Sequence, residues 1–294
     1  MNTLKILVTG GNGQLGTTLK KTAPAGVDAL YVDVDTLDIT KPDDVMNFIA
    51  SVRPGLIINA AAYTAVDKAE SDENTAYRIN CIGVANLANA AIKNHARILH
   101  VSTDFVFGGN SGRPYRPNDP INPLSVYGRT KAAGEQELRN ILPQHSAIVR
   151  TAWLYSAVGS NFMKTILKLM TERDVLRVVS DQVGTPTGAN TLAQVLWELA
   201  FRPQLTGIFH CTDAGVASWY DFALAIREEG ESAGILSPDA GRVEPINTSD
   251  YPTPARRPYY SVLDKTSLWH ELGITPIHWR RNLRNIIAEL RSEK

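Results

Sequence analysis

Leu4-Lys5-Ile6-Leu7-Val8-Thr9-Gly10-Gly11-Asn12-Gly13-Gln14-Leu15-Gly16 is the stretch that decides the fold. Leu4 to Val8 is a short apolar run without polar alternation, the signature of a strand covered on both faces. Gly10, Gly13 and Gly16 follow it in a G-x-x-G-x-x-G pattern, and Gln14 to Lys21 is compatible with a helix. Glycines between a first strand and a first helix serve three ends: a tight turn, close approach of the backbone to a pyrophosphate, and close packing of helix on sheet. The free N–H groups and positive dipole end of the helix then face the phosphates. An ordinary glycine-rich turn has the same composition. The position straight after a strand is what points to a dinucleotide, with contacts expected from Gly10, Gly13, Gln14, Leu15 and Gly16.

Outward from this stretch, strand and helix patterns alternate. Apolar runs at Ala29–Asp33, Leu56–Asn59, Arg97–Val101 and Ala147–Thr151 read as strands. Pro42–Val52, with Thr40 as its N-cap, Ala76–Asn94 and Tyr127–Leu142 read as helices. Such alternation specifies an α/β fold, a Rossmann-like doubly wound parallel sheet covered on both faces. The boundary is placed near residue 152: residues 1–152 form a dinucleotide-binding domain, and 153–294 mainly a smaller substrate-binding domain. The chain is expected to cross back to the sheet. Helices are expected at 162–171, 191–200, 219–229 and 281–291. Residues 108–123 and the proline-rich 236–258 read as irregular.

Composition narrows the partners. Thirty Lys+Arg balance thirty Asp+Glu in 294 residues, for a formal net charge of zero. That speaks against a nucleic-acid footprint or a polybasic membrane anchor, which need a basic excess. Cys81 and Cys211 form no C-x-x-C pair and read as buried reduced thiols. The six histidines show no zinc-ligand spacing. From Met1 onward there is no signal-peptide layout, and no apolar stretch is long enough to span a bilayer. The expected setting is the cytoplasm.

Three further segments carry chemistry. Asp33, at the end of the second strand, stands where an acid would hold an adenosine ribose; Asp35 competes for that place. An acid there leans toward NADH without excluding NADPH. Tyr127 and Lys131, at i and i+4, share one helix face. A phenol ordinarily titrates near ~10, and a neighbouring ammonium lowers that value, which makes tyrosine a usable proton donor. Thr103, in Ser102-Thr103-Asp104, ends the fourth strand, where a doubly wound sheet binds ligands. Its hydroxyl could orient a carbonyl oxygen or simply cap a turn.

The glycine triplet, Asn59-Ala60-Ala61-Ala62, Ser102-Thr103-Asp104 and Tyr127-x-x-x-Lys131 resemble the extended short-chain dehydrogenases/reductases. Asn59 to Glu70, Ser102 to Gly108, Arg150 to Tyr155, Asp181 to Thr187 and Tyr251 to Pro258 narrow this to the dTDP-4-dehydrorhamnose reductase family. The resemblance implies NADPH- or NADH-dependent reduction of the 4-keto group of dTDP-4-dehydro-6-deoxy-L-mannose, the last step of dTDP-L-rhamnose synthesis. It implies that Tyr127 donates the proton, that Lys131 tunes Tyr127 and binds ribose, and that Thr103 orients the ketone. It places Thr103, Asp104 and Trp153 against the sugar and Arg256 and Arg257 on the diphosphate. Asp38 and Ile39 would lie near the adenosine, and Ala60, Ala62, Tyr63 and Thr64 near the cofactor's ribose and diphosphate. Some members form a dimer around magnesium held by acids. Thr18 and Asn190 stand at two of those places, which speaks against that metal site. Monomer and homodimer both stay open.

Two other readings also stay open at this point. One is another nucleotide-sugar enzyme of the superfamily. A dehydratase would carry a glutamate after Thr103-Asp104, where this chain has Phe105; an epimerase would keep its nicotinamide bound. The other is a non-catalytic NADP-binding partner, like the regulatory subunit of methionine adenosyltransferase.

Overall fold

Strand β1 (Lys5–Thr9) sends Ile6 and Val8 into one apolar layer and Leu7 into another, all fully buried. That two-sided burial is why the run lacks polar alternation. The computed structural model describes residues 4–292; residues 1–3, with the Met1 end on which the leader expectation rests, and residues 293–294 lie outside the described residues. Strand β1 pairs in parallel with β2 (Asp28–Val32) on one side and β3 (Leu56–Asn59) on the other. Strands β4 (Arg97–Thr103) and β5 (Ser146–Thr151) continue the sheet, and Gly207–His210 closes it on the far edge, all parallel. The order is Gly207–His210, β5, β4, β3, β1, β2. The winding direction reverses between β1 and β3, and that switch point is where a doubly wound sheet offers its ligand crevice.

One face of the sheet is covered by α1 (Gln14–Lys21) and the Ala189–Ala200 helix, through Leu15, Leu19, Leu192 and Leu196. The other face takes α2 (Pro42–Val52), the Gly83–Lys93 helix and Leu138 of the Val126–Ile141 helix. A separate apolar cluster, with Met163, Ile166, Phe222, Ile226, Trp279 and Leu283, holds the helices of the second half together. Two elements from beyond residue 153, the Ala189–Ala200 helix and the Gly207–His210 strand, thus belong to the sheet's own packing.

Local departures have physical causes. Lys41, not Thr40, is the N-cap of α2, because the Thr40 hydroxyl donates to Asp38 Oδ1 at 2.8 Å. The expected Ala76–Asn94 helix starts earlier, at Glu73, and is broken by a π-helical turn at Arg78–Ile82. Asn80 lies on that turn, and π-turns inside helices often mark functional sites. Within the expected irregular region, Arg242–Ile246 forms a strand parallel to Val175–Val179. Pro245 hides it from a sequence reading, yet a two-stranded ribbon has open edges that tolerate a missing donor.

Candidate active site

The glycine turn and the end of β3 meet at the switch point. Gly10 has φ +71°, and a Cβ there would lie 2.7 Å from Ala61 N and 2.8 Å from Ala60 O. A Cβ on Gly16 would lie 2.2 Å from Gly10 O, so neither position admits a side chain. The Gly13 N-cap of α1 has no side-chain hydrogen bond, which leaves the first helical N–H groups for an outside acceptor. A cleft of about 600 Å³ opens here, lined by Gly10, Gly13, Asp33, Asp38, Ile39, Ala60 and Ala62 together with Arg78. Gly16→Ala is therefore expected to weaken NADPH binding at least tenfold in a fluorescence titration, since the turn must open to admit the methyl group. Unchanged affinity in the folded variant would contradict the cradle.

Acids shape the cleft's far wall. Asp33 accepts from Asn12 N and Val34 N, both at 2.8 Å, which ties the glycine turn to the end of β2. Asp38 accepts from Thr40 N and the Thr40 hydroxyl, and Arg78 donates to that same hydroxyl at 3.2 Å. Other expected cofactor residues lie outside this lining. Leu15 is buried in the core, so only its backbone faces outward chemistry. Gln14 is bonded across to Leu154 O and Asn161. Thr64 is exposed, and Tyr63 is pinned through its backbone to the Asn80 amide.

Tyr127, Lys131 and Thr103 lie together beyond the cleft, at the end of β4. The Val126–Ile141 helix starts there for local reasons: the Ser125 hydroxyl accepts from Gly128 N, and Glu70 accepts from Val126 N at 2.8 Å. Gly128 lets it approach, since a Cβ would lie 2.3 Å from Phe105 O. Nearly two turns on, a Cβ at Gly134 would lie 2.0 Å from Asn80 O. Asn80 also donates to the Thr130 hydroxyl, so the π-turn clamps this helix against Tyr63. Burial pushes the Tyr127 phenol up to about 12, and the Thr103 hydroxyl acts against that rise. Burial brings Lys131 down to about 8, with Glu135 acting in the opposite direction. Lys131 Nζ donates to Val101 O at 2.7 Å and lies 3.4 Å from His100 Nε2. The Thr103 hydroxyl donates to Asp104 Oδ1 at 3.0 Å and accepts from Phe105 N at 3.2 Å, so it also caps the turn that follows β4. Asp104 is buried, which raises its carboxyl to about 6 against hydrogen bonds from Ser261 and Thr103.

A family model described as RmlD substrate binding domain matches residues 4–292. A dTDP-4-dehydrorhamnose reductase of Aggregatibacter actinomycetemcomitans is 44% identical over 291 residues, covering 97% of this chain and 98% of that protein. The chain belongs to the dTDP-4-dehydrorhamnose reductase family. The crystal structure of a Clostridium acetobutylicum member is 41% identical, with a TM-score of 0.91 over 98% of this chain and 99% of that one. A Bacillus anthracis member solved in complex with NADP is 34% identical, with a TM-score of 0.90 over 98% of this chain and 100% of that one.

Against this family background, the sugar-side residues divide. Trp153 holds the left-handed backbone at φ 47°, and its ring stacks on Trp219 at 3.5 Å. Gly184 makes room for it: a Cβ there would lie 2.7 Å from the Trp153 ring. Arg256 is exposed. Arg257 differs from the expected open phosphate clamp. Its guanidinium donates to both Asp67 oxygens, at 3.0 and 2.7 Å, and to the Thr253 hydroxyl and Ala255 O. It straps the 251–258 loop to the segment that follows Ala62-Tyr63-Thr64.

Thr18 and Asn190 are committed internally. The Thr18 hydroxyl donates to Gln14 O at 2.8 Å, and the Asn190 amide donates to Asn282 Oδ1 at 3.1 Å. Neutral oxygens such as these bind a divalent cation far less well than carboxylates do. Sequence reasoning did not single out Asn80, His100, Glu135 or Arg150. Their roles depend on contacts between distant segments, and no local pattern announces them.

Proposed function

We propose that this protein reduces the 4-keto group of dTDP-4-dehydro-6-deoxy-L-mannose with NADPH or NADH, yielding dTDP-L-rhamnose. The observation that carries the reading is the juxtaposition of Tyr127, Lys131 and Thr103 at the carboxyl end of β4, beside a glycine-cradled cleft at the switch point. The cleft residues fit a dinucleotide: Gly10, Gly13 and the α1 N-terminus for the diphosphate, Asp33 for the adenosine ribose, and Asp38 and Ile39 for the adenine side. Bound NAD(P)H supplies the hydride to C4.

The chain's own groups supply the rest. Tyr127 delivers its phenolic proton to the C4 oxygen as negative charge develops there. The Thr103 hydroxyl orients the ketone. Lys131, as the ammonium, favours the phenolate left behind and holds the nicotinamide ribose. Trp153, backed by Trp219, and Asp104 border the sugar. The exposed Arg256 meets the substrate diphosphate, and residues beyond 153 choose the sugar. Two buried, unpaired thiols, Cys81 and Cys211, support a reducing cytoplasmic setting. Among the described residues, no helix is long and apolar enough to cross a membrane.

The test is spectrophotometric oxidation of NADPH and of NADH with this keto sugar beside other nucleotide-linked 4-keto sugars. Stoichiometric oxidation is expected with the named substrate. Stable cofactor binding with no oxidation by any keto sugar would favour a non-catalytic partner protein.

A pH profile follows from Lys131. Its value is lowered by burial to about 8, so the ammonium is present below that pH and lost above it. The reductive kcat/KM is therefore expected to be flat below about 8 and to fall about tenfold per unit above it. A basic limb placed near ~10.4, the ordinary lysine value, would contradict this.

A further inference from the structure

Behind Lys131, away from Tyr127, runs a buried hydrogen-bonded line from β1 through β3 to β4. The Thr9 hydroxyl and the Ala61 backbone N–H both reach Asn59 Oδ1, at 2.7 and 3.1 Å. Ala61 N can only donate, so this oxygen is fixed as the acceptor and the amide cannot be turned round. Asn59 Nδ2 must then face His100 Nδ1, 3.0 Å away. An amide nitrogen only donates, so His100 Nδ1 is an acceptor, and a neutral ring carries its proton on Nε2. His100 is fully buried, and burial together with Lys131 holds its value well below the ordinary histidine range, so the ring is neutral.

The Nε2–H therefore points at Lys131 Nζ, 3.4 Å away, while that nitrogen also donates to Val101 O. An ammonium has no lone pair to receive this hydrogen; a neutral amine has one. The contact thus favours the amine and opposes the ammonium. Glu135, of its own helix, acts on Lys131 in the opposite direction. Glu135 is closed by Arg150 of β5 and Ser102 of β4, and Asp104 acts on Tyr127 rather than on the lysine.

We propose that His100 is a positioning residue for the reduction: Asn59 and Thr9 hold it in the Nε2–H tautomer, and in that form it keeps Lys131 able to release and regain a proton in each turnover. This deepens the reductase reading and rests on it. Without the opposing N–H, Lys131 would hold its proton about tenfold more tightly and would pass it along to refill Tyr127 less readily.

Two measurements test it. The first needs no activity: ¹⁵N NMR of the full chain labelled at histidine, followed over pH 6 to 9 (roughly the range in which an unperturbed histidine completes its titration). Four histidines are exposed, whereas His100 and His210 are buried. His210 uses Nδ1 toward Tyr115 O, an acceptor, so it is the opposite tautomer and the two signals are distinguishable. A non-titrating ring with its proton on Nε2 and a bare Nδ1 is expected for His100. Two buried rings both protonated on Nδ1, or a charged His100, would overturn the proposal.

The second is the pH profile of His100→Gln. The Gln carbonyl can accept from an ammonium, so the basic limb of kcat/KM should move up by about one unit, a tenfold change in proton affinity. KM for NADPH should stay within about twofold, because Lys131 keeps its place on the ribose. A folded variant with an unshifted limb would overturn the proposal. Should His100→Gln fail to fold, the NMR result on the unaltered chain decides. Absence of any keto-sugar reduction by the unaltered chain would instead count against the reductase reading and leave the tautomer result standing.

Discussion

Tyr127→Phe is expected to lower turnover by about a thousandfold, within the range that a positioned general acid contributes, while the affinity for NADPH stays within about twofold. The substitution removes one oxygen and little else. The ring packs edge-on to Phe105 at 5.6 Å, a contact that a phenylalanine keeps. The helix start rests on Ser125 and Glu70, which the change does not touch. What disappears is the proton that must reach C4 as the ketone is reduced. Burial pushes the phenol up to about 12, with only the Thr103 hydroxyl acting against the rise, so it is a reluctant acid that gives up its proton as charge develops on the C4 oxygen. Steady-state kinetics beside a cofactor titration separate the outcomes. Turnover within tenfold of the unaltered enzyme would remove Tyr127 from the proton path. Loss of NADPH binding would mean that its role is structural.

Arg150→Met is expected to cost about 3–5 kcal/mol of folding stability, the usual consequence of stranding one partner of a buried ion pair. Arg150 and Glu135 are 2% and 3% exposed and are joined through two nitrogens and both carboxylate oxygens. The guanidinium also donates to Pro117 O and lies over the Phe107 ring at 5.1 Å. Glu135 additionally accepts from the Ser102 hydroxyl. The pair thus joins β4, β5, the Tyr127 helix and the 108–123 loop behind the active site. Since a domain's whole stability is about 5–15 kcal/mol, the single variant should show a large drop in thermal midpoint. The double variant Arg150→Met/Glu135→Leu should recover most of it, because no bare charge remains. Equal destabilisation of single and double variants would mean that packing, not charge, is what Arg150 contributes. A single variant costing under about 1 kcal/mol would show that the charges are hydrated, as surface pairs are.

The layered sheet was legible because its causes are local. Unbroken apolar runs such as Leu56–Asn59, buried at every position, announce two-sided strands, and Gly10 and Gly16 stand where no side chain fits. The Tyr127/Lys131 pair was legible from its spacing. What stayed hidden was set by distant contacts. The π-turn at Arg78–Ile82 looks like helix in sequence, and only the packing of Asn80 against Tyr63, Thr130 and Gly134 shows its purpose. Thr40 suits a cap by residue type, but Asp38 takes its hydroxyl first. Arg257 suits a phosphate clamp by its loop setting, yet Asp67, 190 positions away, holds it. His100 stands among the apolar Ile98, Leu99 and Val101 of β4, and its meaning depends on Asn59 and Lys131 from two other elements.

The central claim is chemical: the chain adds hydride and a proton across the C4 ketone of a dTDP-linked deoxy sugar. The most direct measurement is product analysis after incubation with dTDP-4-dehydro-6-deoxy-L-mannose and NADPH deuterated at the transferable position. The account predicts dTDP-L-rhamnose carrying deuterium at C4, formed in step with cofactor oxidation. Unchanged keto sugar, or a product without deuterium at C4, would contradict it.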